Sequence, residues 1–194
     1  ATNWIDFTDE EFGVFYSEGT LTAAQSKNGF IRITDAEQAV QTISKASSDF
    51  NETYRDISLQ KINARHALPL IYGKLFSHLS EPYWFIYGNW AIFCNDLSNA
   101  KSTINNLLAE KTWANYSHYQ NVNSLRDGNV NIIAVAHNPE WLNLVLKELE
   151  AELGKDIAKN KESINTVNWA LVQLKQKNDA AYSEVVLLHQ TVTE

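Results

Sequence analysis

The sequence predicts an α+β fold, a largely antiparallel sheet with helices on one face, built from two related ββα-type halves. Segments 30–43 and 91–104 each place a short apolar strand before an Asp, then Ala at +4 and Ile at +8. The Asp can cap a helix, and the Ala and Ile share one helical face. Most strands also follow one another directly, which favours antiparallel pairing because parallel strands need a crossover connection.

The first half contains three predicted strands and two predicted helices. Residues 12–16 and 30–34 are short apolar runs, and a helix follows over 35–46 with Asp35 as its cap. Residues 54–62 alternate in polarity and predict a third strand. Residues 67–79 predict a helix because four apolar side chains recur at helical spacing, Leu68, Ile71, Leu75 and Leu79.

The second half opens with the strongest turn signal in the chain. Gly88-Asn89 separates the aromatic-rich runs 83–87 and 90–94, which predicts a tight hairpin. A helix over 97–109 follows. The phase of these elements predicts a set of buried side chains, namely Ala39, Ile86, Ile92, Cys94, Ala100, Ile104 and Leu108.

The remainder of the chain predicts one strand, one long helix and a closing pair of strands. Residues 131–136 form the strand, and Asn138-Pro139 begins the helix, with Asn138 as cap and Pro139 in its first position. Strands at 167–174 and 182–188 flank a Lys177-Asn178-Asp179 turn. We expect a single domain over 1–194, with pseudo-repeat halves at about 10–80 and 81–194.

Composition restricts the classes of function. The chain has 194 residues, 44% of them hydrophobic, and a formal charge of −7, which predicts a folded protein that does not bind nucleic acid. No stretch approaches the roughly 20 apolar residues of a membrane-spanning helix, so we expect no membrane insertion by this part of the chain. It contains no Met, from which we expect a segment excised from a longer protein, with any signal or anchor upstream.

No local pattern predicts catalysis, a metal or a cofactor. Two Ser-x-x-Lys matches occur, at 58–61 on a predicted strand and at 98–101 on a predicted helix, and in neither is the Ser well placed for activation by the Lys. No two of the five His are three or four residues apart. The single Cys94 lies in an apolar run and is interpreted as a buried side chain.

Aromatic side chains give the candidate binding residues. Residues 113–119 hold three rings and an imidazole, which is typical of a surface that stacks on a glycan or anchors a peptide. The alternative is that Trp113 and Tyr119 close the core between a helix and a strand. Our candidate binding residues are Tyr116, His118 and Trp141.

Residues 54–119 resemble a family of uncharacterised cell-envelope proteins of Gram-negative bacteria, often lipoproteins, grouped as a numbered domain of unknown function. The matching motifs are Tyr54-Arg55-Asp56-Ile57, the run 70–76, Pro82-Tyr83-Trp84-Phe85-Ile86, the run 91–96, and Lys111-Thr112-Trp113-Ala114-Asn115 with Tyr119. The resemblance implies an extracytoplasmic location, a lipoprotein signal upstream and a β-rich region downstream. It implies no catalytic residues. Trp113 stands where the family commonly has Leu, which predicts an inward-packed ring.

Three functions follow as expectations. The first is a non-catalytic structural or binding module of the periplasm or outer membrane whose partner is another envelope protein or a glycan. The second is a hydrolase whose site residues are dispersed along the sequence, since catalytic triads assemble across a fold. The third is an oligomerisation element acting through the long helix.

Overall fold

A computed structural model describes residues 4–17, 27–128, 130–137, 159–160, 162, 166–177 and 180–189. The chain divides into two compact units, Ala1–Lys111 and Thr112–Glu194. The α+β class and the largely antiparallel sheet are confirmed.

The first unit is built on a six-stranded antiparallel sheet. Its strands are β1 (Thr8–Tyr16), β2 (Lys27–Ile33), β3 (Ser47–Tyr54), β4 (Ile57–Ile62), β5 (Tyr83–Tyr87) and β6 (Trp90–Cys94), in the spatial order β1-β2-β6-β5-β4-β3. Its helices are α1 (Ala36–Ser44), α2 (Ala67–Tyr72) and α3 (Leu97–Leu108), with 3-10 helices at Trp4–Phe7 and Lys74–Phe76.

The second unit contains a smaller sheet. A 3-10 helix (Trp113–Asn115) and α4 (Ser117–Ser124) precede strands β7 (Ile132–His137), β8 (Val167–Lys177) and β9 (Ala180–His189), which pair antiparallel in the order β7-β8-β9. Val122 of α4 packs with Trp169 and Leu171 of β8. The long helix predicted from Asn138 lies outside the described residues.

The predicted caps of α1 and α3 are both present. Asp35 Oδ1 accepts a hydrogen bond from the Gln38 backbone N–H at 3.0 Å, and Asp96 Oδ1 accepts one from the Asn99 N–H at 2.8 Å. These carboxylates satisfy N–H groups that have no partner within the helix. Ala39 and Ala100, four residues after each cap, are completely buried as predicted.

The two helices lie on opposite faces of the sheet, whereas the sequence predicted one face. Ala39 of α1 packs with Ile31 and Phe93, and Ala100 of α3 packs with Ile92 and Cys94. The reason is the register of β2 and β6, in which Ile31 pairs with Ala91. Ile92, the repeat equivalent of Ile31, therefore points to the other face, because a shift of one residue reverses side-chain direction.

The predicted boundary between the halves falls inside this sheet. Strand β5 from the second predicted half pairs with β4 from the first, and β6 pairs with β2. Backbone hydrogen bonding along these strands joins residues from both sides of position 80 into one layer. The boundary between the compact units follows Lys111.

A hairpin replaces the single strand predicted over 54–62. Strands β3 and β4 pair with each other, and the pair nearest the turn is Tyr54 with Ile57. Arg55 and Asp56 are therefore the two turn residues. Both adopt positive φ angles, 49° and 65°, as a tight primed turn requires. The turn could not be recognised in the sequence, because Arg55 and Asp56 stand where a primed turn usually has Gly or Asn. The Gly88-Asn89 hairpin was predicted correctly, with Tyr87 paired to Trp90.

The helix predicted over 67–79 is broken at Gly73. There φ is 81° and ψ is −168°, a conformation that only glycine adopts readily. Leu68 and Leu79 are buried as the helical pattern predicted, but Ile71 and Leu75 are exposed. The helix α2 therefore ends at Tyr72, and a separate 3-10 helix covers Lys74–Phe76.

The expected core is otherwise mostly correct. Ile92, Cys94 and Ile104 are buried, and Ile86 is half-buried against the core. Leu108, the last residue of α3, is exposed, whereas the sequence predicted that it is buried.

Candidate interaction surface

Neither Ser-x-x-Lys pair comes together in the structure. Ser98 Oγ donates to Asp96 Oδ1 at 2.7 Å, while Lys101 Nζ contacts Glu52 at 2.6 Å. In the other pair, Ser58 bonds Asn51 and Lys61 contacts Glu81. Each Lys is held by a carboxylate and each Ser by an acceptor, so neither hydroxyl has an activating amine.

Cys94 lies where the sequence predicted. Its side chain is completely buried, with Sγ 3.9 Å from Thr103 Oγ1. Burial raises the pKa of the thiol to about 12, so the thiol stays protonated and unreactive at neutral pH.

Potential metal ligands are dispersed within the described part of the chain. No group of three or more His, Cys, Asp or Glu side chains there is arranged to hold a metal ion. The His137 ring packs against Trp169 in a tilted arrangement, with ring centroids 4.3 Å apart.

Between α1 and the β4-β5 strands lies a shallow depression of about 170 Å³. Val40, Ile57 and Ile86 line it together with the polar Asp56, Ser58 and Gln60. Pockets for small molecules usually measure about 300–1,000 Å³, so this depression is small for a substrate.

The aromatic residues around 113–119 form a cluster in the second unit. Trp113 packs edge-to-face on Trp169 at 5.2 Å and contacts Tyr119 at 5.8 Å. Trp113 nevertheless remains 41% exposed. The ring therefore closes the small core on one side and faces solvent on the other.

The three candidate binding residues do not form a site in the described structure. Tyr116 is 57% exposed at the start of α4. His118 belongs to α4, and only its backbone is described. Trp141 lies outside the described residues. The structure therefore describes the side chain of only one of the three.

Several large apolar side chains near Gly73 are exposed. We call the side chains of Leu70, Ile71, Leu75 and Phe12 the Gly73 surface. Leu70 is 84% exposed, and the other three are also exposed. Phe12 joins this group through Tyr72, with ring centroids 5.5 Å apart. Leu70, Ile71 and Leu75 lie within six residues of the sequence, and neighbouring exposed apolar side chains mark interaction sites more often than singly scattered ones do.

The charge around the Gly73 surface differs from that of the whole chain. Residues 57–80 contain Lys61, Arg65 and Lys74 but no Asp or Glu, in a chain of net charge −7. Lys61 and Arg65 both contact Glu81. Lys74 is exposed between Ile71 and Leu75 and makes no ion pair with a described residue.

Sequence reasoning missed this surface because it assigned the apolar residues of 67–79 to one continuous helix. Two signals were present, the Gly in the middle of the stripe and the lack of acidic residues over 57–80. A mid-helix Gly lowers the stability of a helix by about 1 kcal/mol relative to Ala, which argued against a continuous helix.

No protein-family model matches the chain, and no match was found among curated proteins or solved structures. Among the described residues, no helix is both long and apolar enough to cross a lipid bilayer.

Proposed function

We propose that this chain is a non-catalytic binding module, and that the Gly73 surface docks a protein segment carrying apolar side chains and carboxylates. The exposure of Leu70 beside Ile71 and Leu75 is the observation that carries the proposal. An extracytoplasmic location belongs to the proposal as well and rests on the resemblance of residues 54–119.

Apolar burial would supply most of the affinity. Burying a Leu side chain that was exposed is worth about 1.5–3 kcal/mol, and Leu70 is almost fully exposed. The short α2 and the turn at Gly73 hold Leu70, Ile71 and Leu75 within six residues of one another. A partner therefore gains apolar contact without ordering a long segment of this chain.

Charge supports an acidic partner over a neutral one. Lys74 lies between Ile71 and Leu75, and residues 57–80 contain no Asp or Glu. An acidic segment is therefore favoured beside Lys74 and opposed on the side of Phe12, which follows the acidic run 9–11. Charge complementarity of this kind accelerates association and selects among partners more than it adds affinity.

A synthetic amphipathic helix with a Leu stripe flanked by Glu is the probe that tests this proposal. Fluorescence anisotropy of the labelled peptide measures its affinity for the wild type and for three variants. We expect Leu70→Ser to weaken binding by about tenfold or more. Lys74→Glu should weaken binding and reduce its dependence on salt.

Leu125→Ser is the matched control, because Leu125 is also an exposed Leu but lies in the second unit. Its affinity for the peptide should equal that of the wild type. Absence of peptide binding, or equal binding by Leu70→Ser and the wild type, would contradict the proposal.

The dispersed-site hydrolase requires a separate test. We expect the protein to stay at background with generic ester, peptide, phosphoester and glycoside substrates, and elemental analysis to find no stoichiometric metal. A turnover that disappears on changing one buried polar residue would instead establish the hydrolase. Peptide binding and turnover are measured independently, so the peptide assay tests the binding module and the substrate screen tests the hydrolase.

A further inference from the structure

Strand β9 forms an edge of the sheet in the second unit. It pairs with β8 along Ala180–His189, and the sheet order β7-β8-β9 gives it no second neighbour among the described strands. An edge strand presents a row of N–H and C=O groups that another extended strand can pair with. At ten residues, β9 is long for an edge strand.

The edges of the larger sheet carry features that discourage such pairing. Strand β1 has an irregular register between Thr8 and Phe12 and carries the acidic run 9–11. Strand β3 has an irregularity between Ser47 and Asn51 and carries Asp49 and Glu52. Bulges and charged side chains are the usual means by which proteins protect an edge.

Strand β9 has fewer of these protective features, since the one irregularity in its pairing lies at its end, between the Val167–His189 and Trp169–Leu188 pairs. Its register with β8 runs without a shift from the Trp169–Leu188 pair to the Lys177–Ala180 pair. It contains no Lys, Arg, Pro or Gly. Its single carboxylate, Glu184, accepts hydrogen bonds from Lys175 and Gln173, each at 3.2 Å. Strand β9 therefore carries one carboxylate, whereas the acidic run on β1 has three and β3 has two.

The side chains of β9 are also unusually apolar for an exposed strand. Val185 is 60% exposed and Leu187 is 50% exposed, both on the same face. Tyr182 is exposed on the opposite face. A strand that pairs with this edge would gain main-chain hydrogen bonds together with apolar contacts on both faces.

We propose that β9 pairs antiparallel with β9 of a second copy of this chain, joining two three-stranded sheets into one of six strands. A strand that pairs with this edge must be extended, apolar on both faces and low in charge. Strand β9 itself has these properties, so β9 of a second copy is a suitable partner. A two-fold axis perpendicular to the sheet makes two identical strands antiparallel and keeps each Val185 on the same face of the joined sheet.

Sedimentation equilibrium of the wild type and two variants tests the dimer. The wild type should dimerise in a concentration-dependent manner, and Val185→Lys should shift it to monomer, because a charge on an edge strand opposes pairing. Ile132→Lys is the matched control. Ile132 is also β-branched, 58% exposed and on the same sheet face, but it lies on β7 at the opposite edge.

Each outcome decides between surfaces. Dimerisation by the wild type and Ile132→Lys, with loss in Val185→Lys, supports pairing through β9. Loss in both variants assigns the contact to the apolar face of the sheet and overturns the proposal, as does dimerisation by all three proteins. A wild type that stays monomeric at every concentration also overturns it.

Hydrogen exchange gives a second measurement that does not depend on the variants. Amide protection within residues 180–189 should increase with protein concentration, while protection within β7 should not change. Equal protection of β9 in dilute and concentrated samples would contradict pairing through this edge.

Discussion

Asn99 at the start of α3 and Asn28 in β2 are joined by a hydrogen bond, in which Asn99 Nδ2 donates to Asn28 Oδ1 at 2.6 Å. Both side chains are completely buried. Asn28 Nδ2 donates to Ser17 Oγ at 3.1 Å, and Ser17 Oγ donates to Asn99 Oδ1 at 2.8 Å. The three side chains form a closed ring of hydrogen bonds between α3 and the sheet, on the face opposite to α1.

Replacing Asn99 with Ala should lower the free energy of unfolding by about 1–3 kcal/mol, because the buried amide of Asn28 and the half-buried hydroxyl of Ser17 each lose a partner. Denaturant unfolding measures this loss. Ser102→Ala on the exposed side of α3 is the control and should change stability by less than about 0.5 kcal/mol.

A double-mutant cycle checks that the loss comes from the ring. Asn28→Ala combined with Asn99→Ala should cost less than the two single changes added together, because the first substitution already breaks the shared bond. Additive costs would show that the two amides are not energetically coupled.

Replacing Ile104 with Ala should destabilise the protein by about 2–4 kcal/mol in chemical denaturation. Ile104 is completely buried against Leu59, Phe85 and Ile92. Leu108→Ala, at an exposed position of the same helix, should cost much less. A loss below about 0.5 kcal/mol for Ile104→Ala would mean that the phase of α3 is wrong.

Replacing Gly73 with Ala should destabilise by about 1–3 kcal/mol through backbone strain alone. An added Cβ would meet no atom within 4 Å, and φ is 81°. Gly128→Ala also enters open space, but without a positive φ, and should leave thermal and denaturant unfolding nearly unchanged. An equal loss of stability in the two variants would contradict the proposal that the turn requires the positive φ angle of Gly73.

The stability of the protein should rise with pH because of His78. Burial, together with the nearby Lys27 ammonium, lowers the pKa of His78 to about 4. An interaction with the Leu75 backbone opposes this lowering of the pKa only in part. Between about pH 4 and 6.5, the unfolded chain binds a proton that the folded chain does not, so the free energy of unfolding increases with pH in this window.

Denaturant unfolding at several pH values compares the wild type with His78→Gln. The variant should show a weaker dependence on pH between about 4 and 6.5, because the titrating ring has been removed. Carboxylates contribute equally to the pH dependence of both proteins. The difference between the two unfolding free energies therefore reports the titration of His78. His66→Gln, at an exposed position of the same region, is the matched control. Parallel curves for wild type and His78→Gln would contradict the expected shift.

Local sequence determined the features that depend on neighbouring residues. The caps at Asp35 and Asp96 and the hairpin at Gly88-Asn89 were predicted correctly. A cap needs a carboxylate three residues from the N–H it binds, and a primed turn needs residues that tolerate positive φ. Burial of Cys94 also followed from the apolar run around it.

Tertiary structure decided which face each helix covers and which apolar residues stay exposed. The register of Ile31 with Ala91 placed α1 and α3 on opposite faces, and no local pattern contains that register. The exposure of Leu70 is likewise not contained in the helical pattern of 67–79. Helical or alternating periodicity identifies an apolar face, but only long-range pairing and packing determine what, if anything, covers it.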